Sequence, residues 1–152
     1  MASFTAYVAG PVIRPGRPSR VASLYGQLDK AANAYSVQLR LPTYSDQLDG
    51  LAAHAFAKEI RDRIRKADSM IAVIARPAGP NDLSLASIAA EAHEAAQAGK
   101  PIAILAQDTE LALPRLLTAL DRAQAYFFAG PETLDLMFNN LANDLGHSAR
   151  SR

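Results

Sequence analysis

Short apolar runs alternate along the chain with longer segments in which apolar residues recur every three or four positions. The runs have the length of single strands, and residues 69–75 and 101–106 are apolar almost throughout, as expected of parallel strands covered on both faces. The longer segments carry the stripe of an amphipathic helix, as at Phe56, Ile60 and Ile64. The predicted strands are residues 4–9, 35–41, 69–75, 101–106 and 123–128.

Capping and breaking residues mark the ends of the helices that the pattern predicts. Ser19 is placed to cap the first helix, Gly99 stands where the third helix should stop, and Pro131 suits the first turn of the last helix. The predicted helices begin at Ser19, surround residues 56–64, and cover residues 84–98, 114–120 and 131–145.

This alternation predicts one doubly wound α/β domain, of the Rossmann or flavodoxin kind, over residues 1–146, with a polar tail over residues 147–152. The sheet should be mainly parallel and five-stranded, and right-handed crossovers favour the strand order 2-1-3-4-5. Ligands bind such sheets beyond the carboxyl ends of the strands. Residues 10–20, 76–91 and 107–114 are therefore the predicted binding loops.

The composition excludes several classes of binding surface and catalytic site. The 152 residues hold 16 Lys and Arg against 15 Asp and Glu, and a formal charge of +1 leaves no broad basic surface for nucleic acid or an anionic membrane. Without cysteine there is no thiol nucleophile, disulfide or cysteine-bound zinc, and the three histidines are too scattered for a histidine metal site. A zinc motif at His93 and Glu94 fails because Gln97 stands where the second histidine is needed.

The distribution of apolar and cationic residues also predicts the cellular location of the protein. No apolar run approaches the roughly 20 residues of a membrane helix. The start of the chain has no cationic segment leading to an apolar core, so we expect a cytoplasmic protein. Any catalysis should run on carboxylates and hydroxyls.

The first predicted loop combines glycines with arginines. Gly10, Arg14, Gly16 and Arg17 precede a helix whose free amides and dipole favour an anion, so the loop is a candidate site for phosphate or carboxylate. The arginines could equally do no more than solvate a surface loop. Neither a GxGxxG nor a GxxxxGK[ST] sequence is present, which argues against the usual dinucleotide and P-loop sites.

The start of the third predicted helix carries two hydroxyls and a carboxylate. Ser84 and Ser87 stand in its first turns, and Glu91 shares a face with Ser87 one turn later. The helix dipole and the hydroxyl donors would keep that carboxylate ionised and oriented, so Glu91 is a candidate nucleophile or general base. The alternative is ordinary: a serine caps the helix, and Glu91 is a solvated helix residue.

Three stretches of sequence strengthen the chemical interpretation when they are taken together. The first is YVAGP at 7–11 followed by IRPGR at 13–17, the second is ADSMIAV at 67–73, and the third is Glu91 with GKP at 99–101. In this order and spacing they resemble the nucleoside 2-deoxyribosyltransferase superfamily, which includes N-glycosidases of deoxynucleoside 5′-monophosphates.

The resemblance implies a hydrolase that cleaves the N-glycosidic bond of a nucleotide or nucleoside 5′-monophosphate without a metal or organic cofactor. It gives Glu91 the role of a nucleophile at the anomeric carbon, and Tyr7 that of a phenol beside the sugar, where plain packing at a strand end is the alternative. It also implies a homodimer or higher homo-oligomer in which Thr118 donates a hydroxyl across the interface, although a helix-surface threonine is the plainer interpretation. The substrate and its phosphate would be held by Gly10, Arg14, Gly16, Arg17, Ser84 and Ser87.

Two positions depart from the family pattern. The family's second acid falls on Ile60, which cannot transfer a proton, and the neighbouring Glu59 would replace it only if the helix carried a one-residue shift. Glu59 is equally well interpreted as a solvated helix carboxylate. The phosphate-binding serine of the glycosidase branch falls on Leu85, next to Ser84, and the aspartate that true transferases of the family carry at the same position is missing as well. These departures favour hydrolysis over transfer of the sugar to a second base.

Two other functions stay open. Residues 56–91 also resemble TIR-type domains, which cleave the nicotinamide glycosidic bond of NAD, although the start at 7–11 resembles them less. A noncatalytic nucleotide-binding or partner-regulating module on the same fold is the other alternative, because loss of the second acid at Ile60 would leave binding intact.

Overall fold

Five strands and five helices make up the described part of the chain. The structure is a computed structural model that describes residues 3–13, 16, 21–43, 48, 50–75, 84–108, 113 and 115–150, with Ser84 and residues 147–150 described by their backbone alone. The strands are β1 (Phe4–Ala9), β2 (Val37–Arg40), β3 (Ser69–Ile74), β4 (Ile102–Ala106) and β5 (Ala123–Phe127). The helices are α1 (Ala22–Ala34), α2 (Ala53–Lys66), α3 (Ser84–Gln97), α4 (Arg115–Thr118) and α5 (Pro131–Arg150).

The strands form one parallel sheet in the order β2-β1-β3-β4-β5, which confirms the predicted fold class and strand order. β1 lies between β2 and β3, with Tyr7 in register with Arg40 on one side and Met70 on the other. From β1 the chain continues to β2, and from β3 it continues to β4, in opposite directions along the sheet. A crevice opens at such a divergence, beyond the carboxyl ends of β1 and β3.

Helices cover both faces of the sheet. α1 and α5 pack on one face, against Val8 and Ile71, and Phe138 of α5 stacks on Tyr35 with ring centroids 6.1 Å apart. α2, α3 and α4 pack on the other face, against side chains such as Ile104. Every residue of β3 and β4 is buried, as predicted for central parallel strands. Removal of this apolar surface from water is the main force that holds the layers together.

The beginning of α1 and the length of β2 differ from the sequence prediction. α1 begins at Ala22 with Val21 as its N-cap, later than the predicted start at Ser19. Ser19 itself lies outside the described residues. β2 is shorter than predicted because Ser36 has φ of 56°, a left-handed conformation that interrupts extended backbone before Val37.

The last helix also differs from the prediction. α5 continues to Arg150, so the predicted helix end at Leu145 is too early, and the predicted polar tail begins inside the helix. No proline interrupts this end, and the buried Leu141 and Leu145 anchor the preceding turns, which lets the helix continue past Gly146. Among the described helices, none has both the length and the apolar composition that crossing a bilayer requires.

Close packing around the end of β1 requires a glycine at position 10. The Tyr25 hydroxyl donates to the Pro11 carbonyl oxygen at 2.8 Å, which holds the phenol against Gly10. A Cβ at Gly10 would lie 2.5 Å from the Tyr25 hydroxyl oxygen and 3.1 Å from the Val73 Cβ. The chain can therefore leave the sheet here only while residue 10 lacks a side chain.

Gly10→Ala should destabilise the fold by about 1–3 kcal/mol, because the added methyl group forces Tyr25 or β3 to move. Gly26→Ala is the matched control. Gly26 lies within α1 with open space around its Cβ position, so alanine there should stabilise the fold by about 0.5–1 kcal/mol. Urea unfolding followed by circular dichroism measures both changes, and equal effects would contradict the close approach at Gly10.

Candidate active site

Tyr7 and Glu91 form a hydrogen-bonded pair between the sheet and α3, although 84 positions separate them in the sequence. Tyr7 is a buried residue near the end of β1, and its side chain lies on the face that α2 and α3 cover. Its hydroxyl donates to Oε1 of Glu91 at 2.8 Å. The structure therefore brings together two side chains that the sequence nominates separately.

α3 holds Glu91 in place by packing its own apolar stripe on the sheet. Ile88, Ala92 and Ala95 are buried in the core on this face. Glu91 comes three residues after Ile88 and one before Ala92, so its side chain emerges at the edge of the stripe, next to α2. Ser87 lies one turn earlier on the same side of the helix.

A cavity of about 400 Å³ lies between α2 and α3, with the end of β1 at its base. Its α2 wall is apolar apart from one arginine, and its α3 wall carries a hydroxyl and two carboxylates. Such a combination of apolar surface with a few polar groups is typical of small-molecule sites. The residues that line the cavity are Gly10, Val12, Phe56, Ala57, Ile60, Arg61, Ile64, Ser87, Ala90, Glu91 and Glu94.

The two carboxylates of the cavity are held differently. Burial raises the pKa of the Glu91 carboxyl above its ordinary value of 4.5, and the hydrogen bond from Tyr7 opposes that rise. Glu94, one turn further along α3, accepts a hydrogen bond from Arg65 of α2 at 2.8 Å. Glu91 is thus oriented by a neutral phenol, whereas Glu94 is oriented by a cation.

Glu59, the expected substitute for the second acid, does not line this cavity. Its Oε1 accepts a hydrogen bond from Nε of Arg63 at 3.1 Å, and both side chains are about half-buried. Ile60, only 6% exposed, faces the cavity instead. The rotation of α2 therefore directs Glu59 to Arg63 and leaves an apolar side chain opposite Glu91.

The expected phosphate-binding residues fall only partly within the described chain. Gly16 is described and has φ of 78°, which suits a tight turn in the first loop. Arg14 and Arg17 lie outside the described residues. Ser84 is the first residue of α3, but its side chain is not described, whereas Ser87 is exposed at the cavity wall.

Thr118 is not among the residues that line the cavity. It is exposed at the end of α4, and its hydroxyl donates to the Arg115 carbonyl oxygen at 3.2 Å. His93 is exposed on α3, with its ring nitrogen 3.2 Å from the side-chain nitrogen of Gln97. Over the described ranges, no three side chains of the metal-binding types are grouped as a metal site requires.

Sequence reasoning missed the α2 side of the cavity. The stripe of Phe56, Ile60 and Ile64 predicts a core face, and Ile60 and Ile64 are buried as expected, but all three also line the cavity. Arg61 and Glu94 carry no local signal for a site. Only the relative rotation of α2 and α3 decides which of their charged side chains face each other.

Solved structures match the chain by fold, whereas no family model and no curated protein matches its sequence. The 2-deoxyribosyltransferase of Bacillus psychrosaccharolyticus is similar with a TM-score of 0.59 and 12% identity, over 86% of this chain and 90% of that one. The CMP N-glycosidase of Clostridium botulinum gives a TM-score of 0.55 and 15% identity, over 90% and 98% of the two chains. The flavoenzyme FerB of Paracoccus denitrificans, an NAD(P)H:acceptor oxidoreductase, gives a TM-score of 0.60 and 16% identity, over 96% of this chain and 98% of that one.

These similarities establish the fold but not the reaction, because a flavoenzyme oxidoreductase shares the architecture with the 2-deoxyribosyltransferase and the CMP N-glycosidase. The reaction has to be inferred from the residues of the site. The resemblance drawn from the sequence motifs is supported at the level of architecture. The chain has the α/β fold that the 2-deoxyribosyltransferase and the CMP N-glycosidase share.

Proposed function

We propose that the protein is an enzyme that cleaves the N-glycosidic bond of a nucleoside or nucleotide and releases the free base, with Glu91 as the nucleophile. The observation that carries the proposal is the hydrogen bond from Tyr7 to Glu91 at the wall of a cavity beyond β1. This arrangement presents an oriented, partly buried carboxylate to a space of the size that small molecules occupy.

The fold neighbours support the same chemistry. The names 2-deoxyribosyltransferase and CMP N-glycosidase both describe reactions at the bond between a sugar and a base. The flavoenzyme of the same fold shows that architecture alone does not select this reaction. The oriented carboxylate favours it, because cleavage of a glycosidic bond with retention uses a carboxylate nucleophile.

In the proposed reaction, the Glu91 carboxylate attacks the anomeric carbon of the sugar. A C–O bond to Glu91 forms as the C–N bond to the base breaks, and the base leaves with the electron pair of that bond. Water then attacks the same carbon, loses a proton to the solvent, and releases both the sugar and the Glu91 carboxylate. Tyr7 orients Glu91 through Oε1 during both steps.

Water also supplies the proton that the departing base takes up. The α2 wall offers Ile60 opposite Glu91, and Glu59 is engaged by Arg63. Glu59 therefore has no part in the proposed steps. Hydrolysis is proposed over transfer to a second base because Ile60 stands where the family has its second acid, and Leu85 stands where its transferases have an aspartate.

A 5′-phosphate of the substrate would sit at the start of α3. Ser87 lines the cavity there, and the helix N-terminus contributes free amides and the positive end of the dipole. In the same proposal, Thr118 contributes a hydroxyl to the site of a second copy in a homodimer. The further phosphate ligands would be Gly10, Arg14, Gly16, Arg17 and Ser84.

The wild-type protein should release free base from at least one member of a panel of ribonucleosides, deoxynucleosides, their 5′-monophosphates and NAD. Glu91→Gln should lower the rate by on the order of 10³-fold or more, because the amide cannot form the glycosyl ester. Chromatographic detection of the base measures both rates.

Glu132→Gln is the matched control, since Glu132 is an exposed carboxylate in the first turn of α5. Its rate should stay within about twofold of the wild type. Base release that survives Glu91→Gln, or no release from any substrate by folded protein, would contradict the proposed function. Release of nicotinamide alone would identify NAD as the substrate, as the resemblance to TIR-type domains implies.

Glu91→Gln should also change how stability depends on pH. Burial favours the neutral form of Glu91, so its contribution to stability is fully present below pH 4.5 and is lost as pH rises through the raised pKa. Glutamine stays neutral throughout. The free energy of unfolding of the variant should therefore increase relative to that of the wild type as pH rises. The total gain should be about 1.4 kcal/mol for each unit by which the pKa is raised.

Urea unfolding of both proteins from acid to neutral pH measures this gain. Tyr7→Phe is the matched control, because it removes the hydrogen bond that lowers the pKa of Glu91. In the Tyr7→Phe background the gain should begin at the same pH, because the unfolded-state pKa is unchanged, but it should continue to a higher pH and reach a larger final value. A difference between Glu91→Gln and the wild type that is the same at every pH would show that burial does not perturb Glu91.

A further inference from the structure

A second cavity, of about 570 Å³, lies between β2 and the last turns of α2, and none of its lining residues lines the Glu91 cavity. We refer to it as the β2–α2 groove. Tyr7 separates the two spaces: its side chain lines the groove, and its hydroxyl bonds to Glu91 in the other cavity. The groove is thus a distinct space that adjoins the proposed active site.

The charged side chains that line the β2–α2 groove are all cationic. They are Arg40 from β2, and Arg63 and Lys66 from α2. Thr5 and Thr43 line the same groove and add hydroxyl groups. The groove therefore combines three positive charges with hydrogen-bond donors around a concave space, which is the composition of an anion site.

Local structure brings these cations together from two different elements. Arg40 is in register with Tyr7 on neighbouring parallel strands, so both side chains lie on the face that α2 covers. Arg63 and Lys66 are three residues apart in α2 and so share one side of the helix. The helix dipole also stabilises basic residues in the last turn of a helix. That effect accounts for Arg63 and Lys66 but not for Arg40, which lies on β2.

Nearby carboxylates offset only part of this charge. Glu59 pairs with Arg63 at 3.1 Å, and Oδ2 of Asp68 accepts a hydrogen bond from the backbone N–H of Thr5 at 2.8 Å. Within the ranges that the structure describes, neither Arg40 nor Lys66 has an ion-pair partner. The groove therefore keeps a positive excess at Arg40 and Lys66.

We propose that the β2–α2 groove binds the phosphate group of a small molecule. Phosphate carries close to two negative charges at neutral pH and presents several acceptor oxygens. It can therefore accept hydrogen bonds from an arginine and a lysine at the same time, which makes it a better ligand for this groove than a single carboxylate. The site differs from the phosphate position at the start of α3, and it does not depend on the reaction proposed for Glu91.

Isothermal titration calorimetry with inorganic phosphate and with ribose 5-phosphate, at constant ionic strength set with chloride, tests the site. Arg40→Gln and Lys66→Gln should each weaken phosphate binding by about tenfold, as expected when a charged hydrogen-bond donor is lost. Arg65→Gln is the matched control. Arg65 lies in the same last turn of α2 but pairs with Glu94 and does not line the groove, so its loss should change binding by less than about twofold.

The unfolding midpoint of each variant without ligand verifies that it is folded. Tighter binding of ribose 5-phosphate than of inorganic phosphate would identify a phosphate ester as the ligand, and equal binding would identify free phosphate; both support the site. Absence of binding by the wild type, binding that survives in Arg40→Gln and Lys66→Gln, or equal weakening in all three variants would overturn the proposal. Base release, measured separately, decides the Glu91 reaction independently of this result.

Discussion

A carboxylate partly buried against a parallel sheet requires a partner, and here the hydroxyl of Tyr7 is that partner. The rest of the site depends on this hydrogen bond. Tyr7 can reach Glu91 because β1 lies inside the sheet, with its side chains fixed by β2 and β3 on either side. Glu91 can accept the bond because Ile88 and Ala92 fix the rotation of α3 on the same face.

The topology explains why a cavity adjoins this pair. The chain continues from β1 to β2 and from β3 to β4 in opposite directions, which opens a crevice beyond the carboxyl ends of these strands, and the cavity between α2 and α3 lies at the end of β1. Gly10 lets the chain leave the sheet at this point, because the Tyr25 hydroxyl occupies the place of a side chain. Tyr7 also lines the β2–α2 groove, so the same residue of β1 contributes to that groove and holds Glu91 at the cavity through its hydrogen bond. A single buried strand thus organises an acidic cavity and a cationic groove.

The sequence predicts those elements of the fold whose burial determines the pattern of apolar and polar residues. β3 and β4 read as continuous apolar runs because both of their faces are covered. The start of α1 and the end of α5 depend on weak local preferences, and there the prediction failed. Tyr7 and Glu91 could be nominated from motifs, but the partner of each depends on strand order and helix rotation. The same holds for Ile60, whose place in a core stripe gives no sign that it also faces the cavity.

The central claim is that Glu91 is a nucleophile, and not merely a buried carboxylate that binds a substrate. Acid quenching of the protein during turnover of its best substrate, followed by peptide mass spectrometry, tests it most directly. The account predicts a peptide that contains Glu91 and is heavier by the mass of the glycosyl group, with no such adduct in Glu91→Gln. An adduct on another residue, or base release by the wild type with no adduct under conditions that trap glycosyl esters, would contradict it.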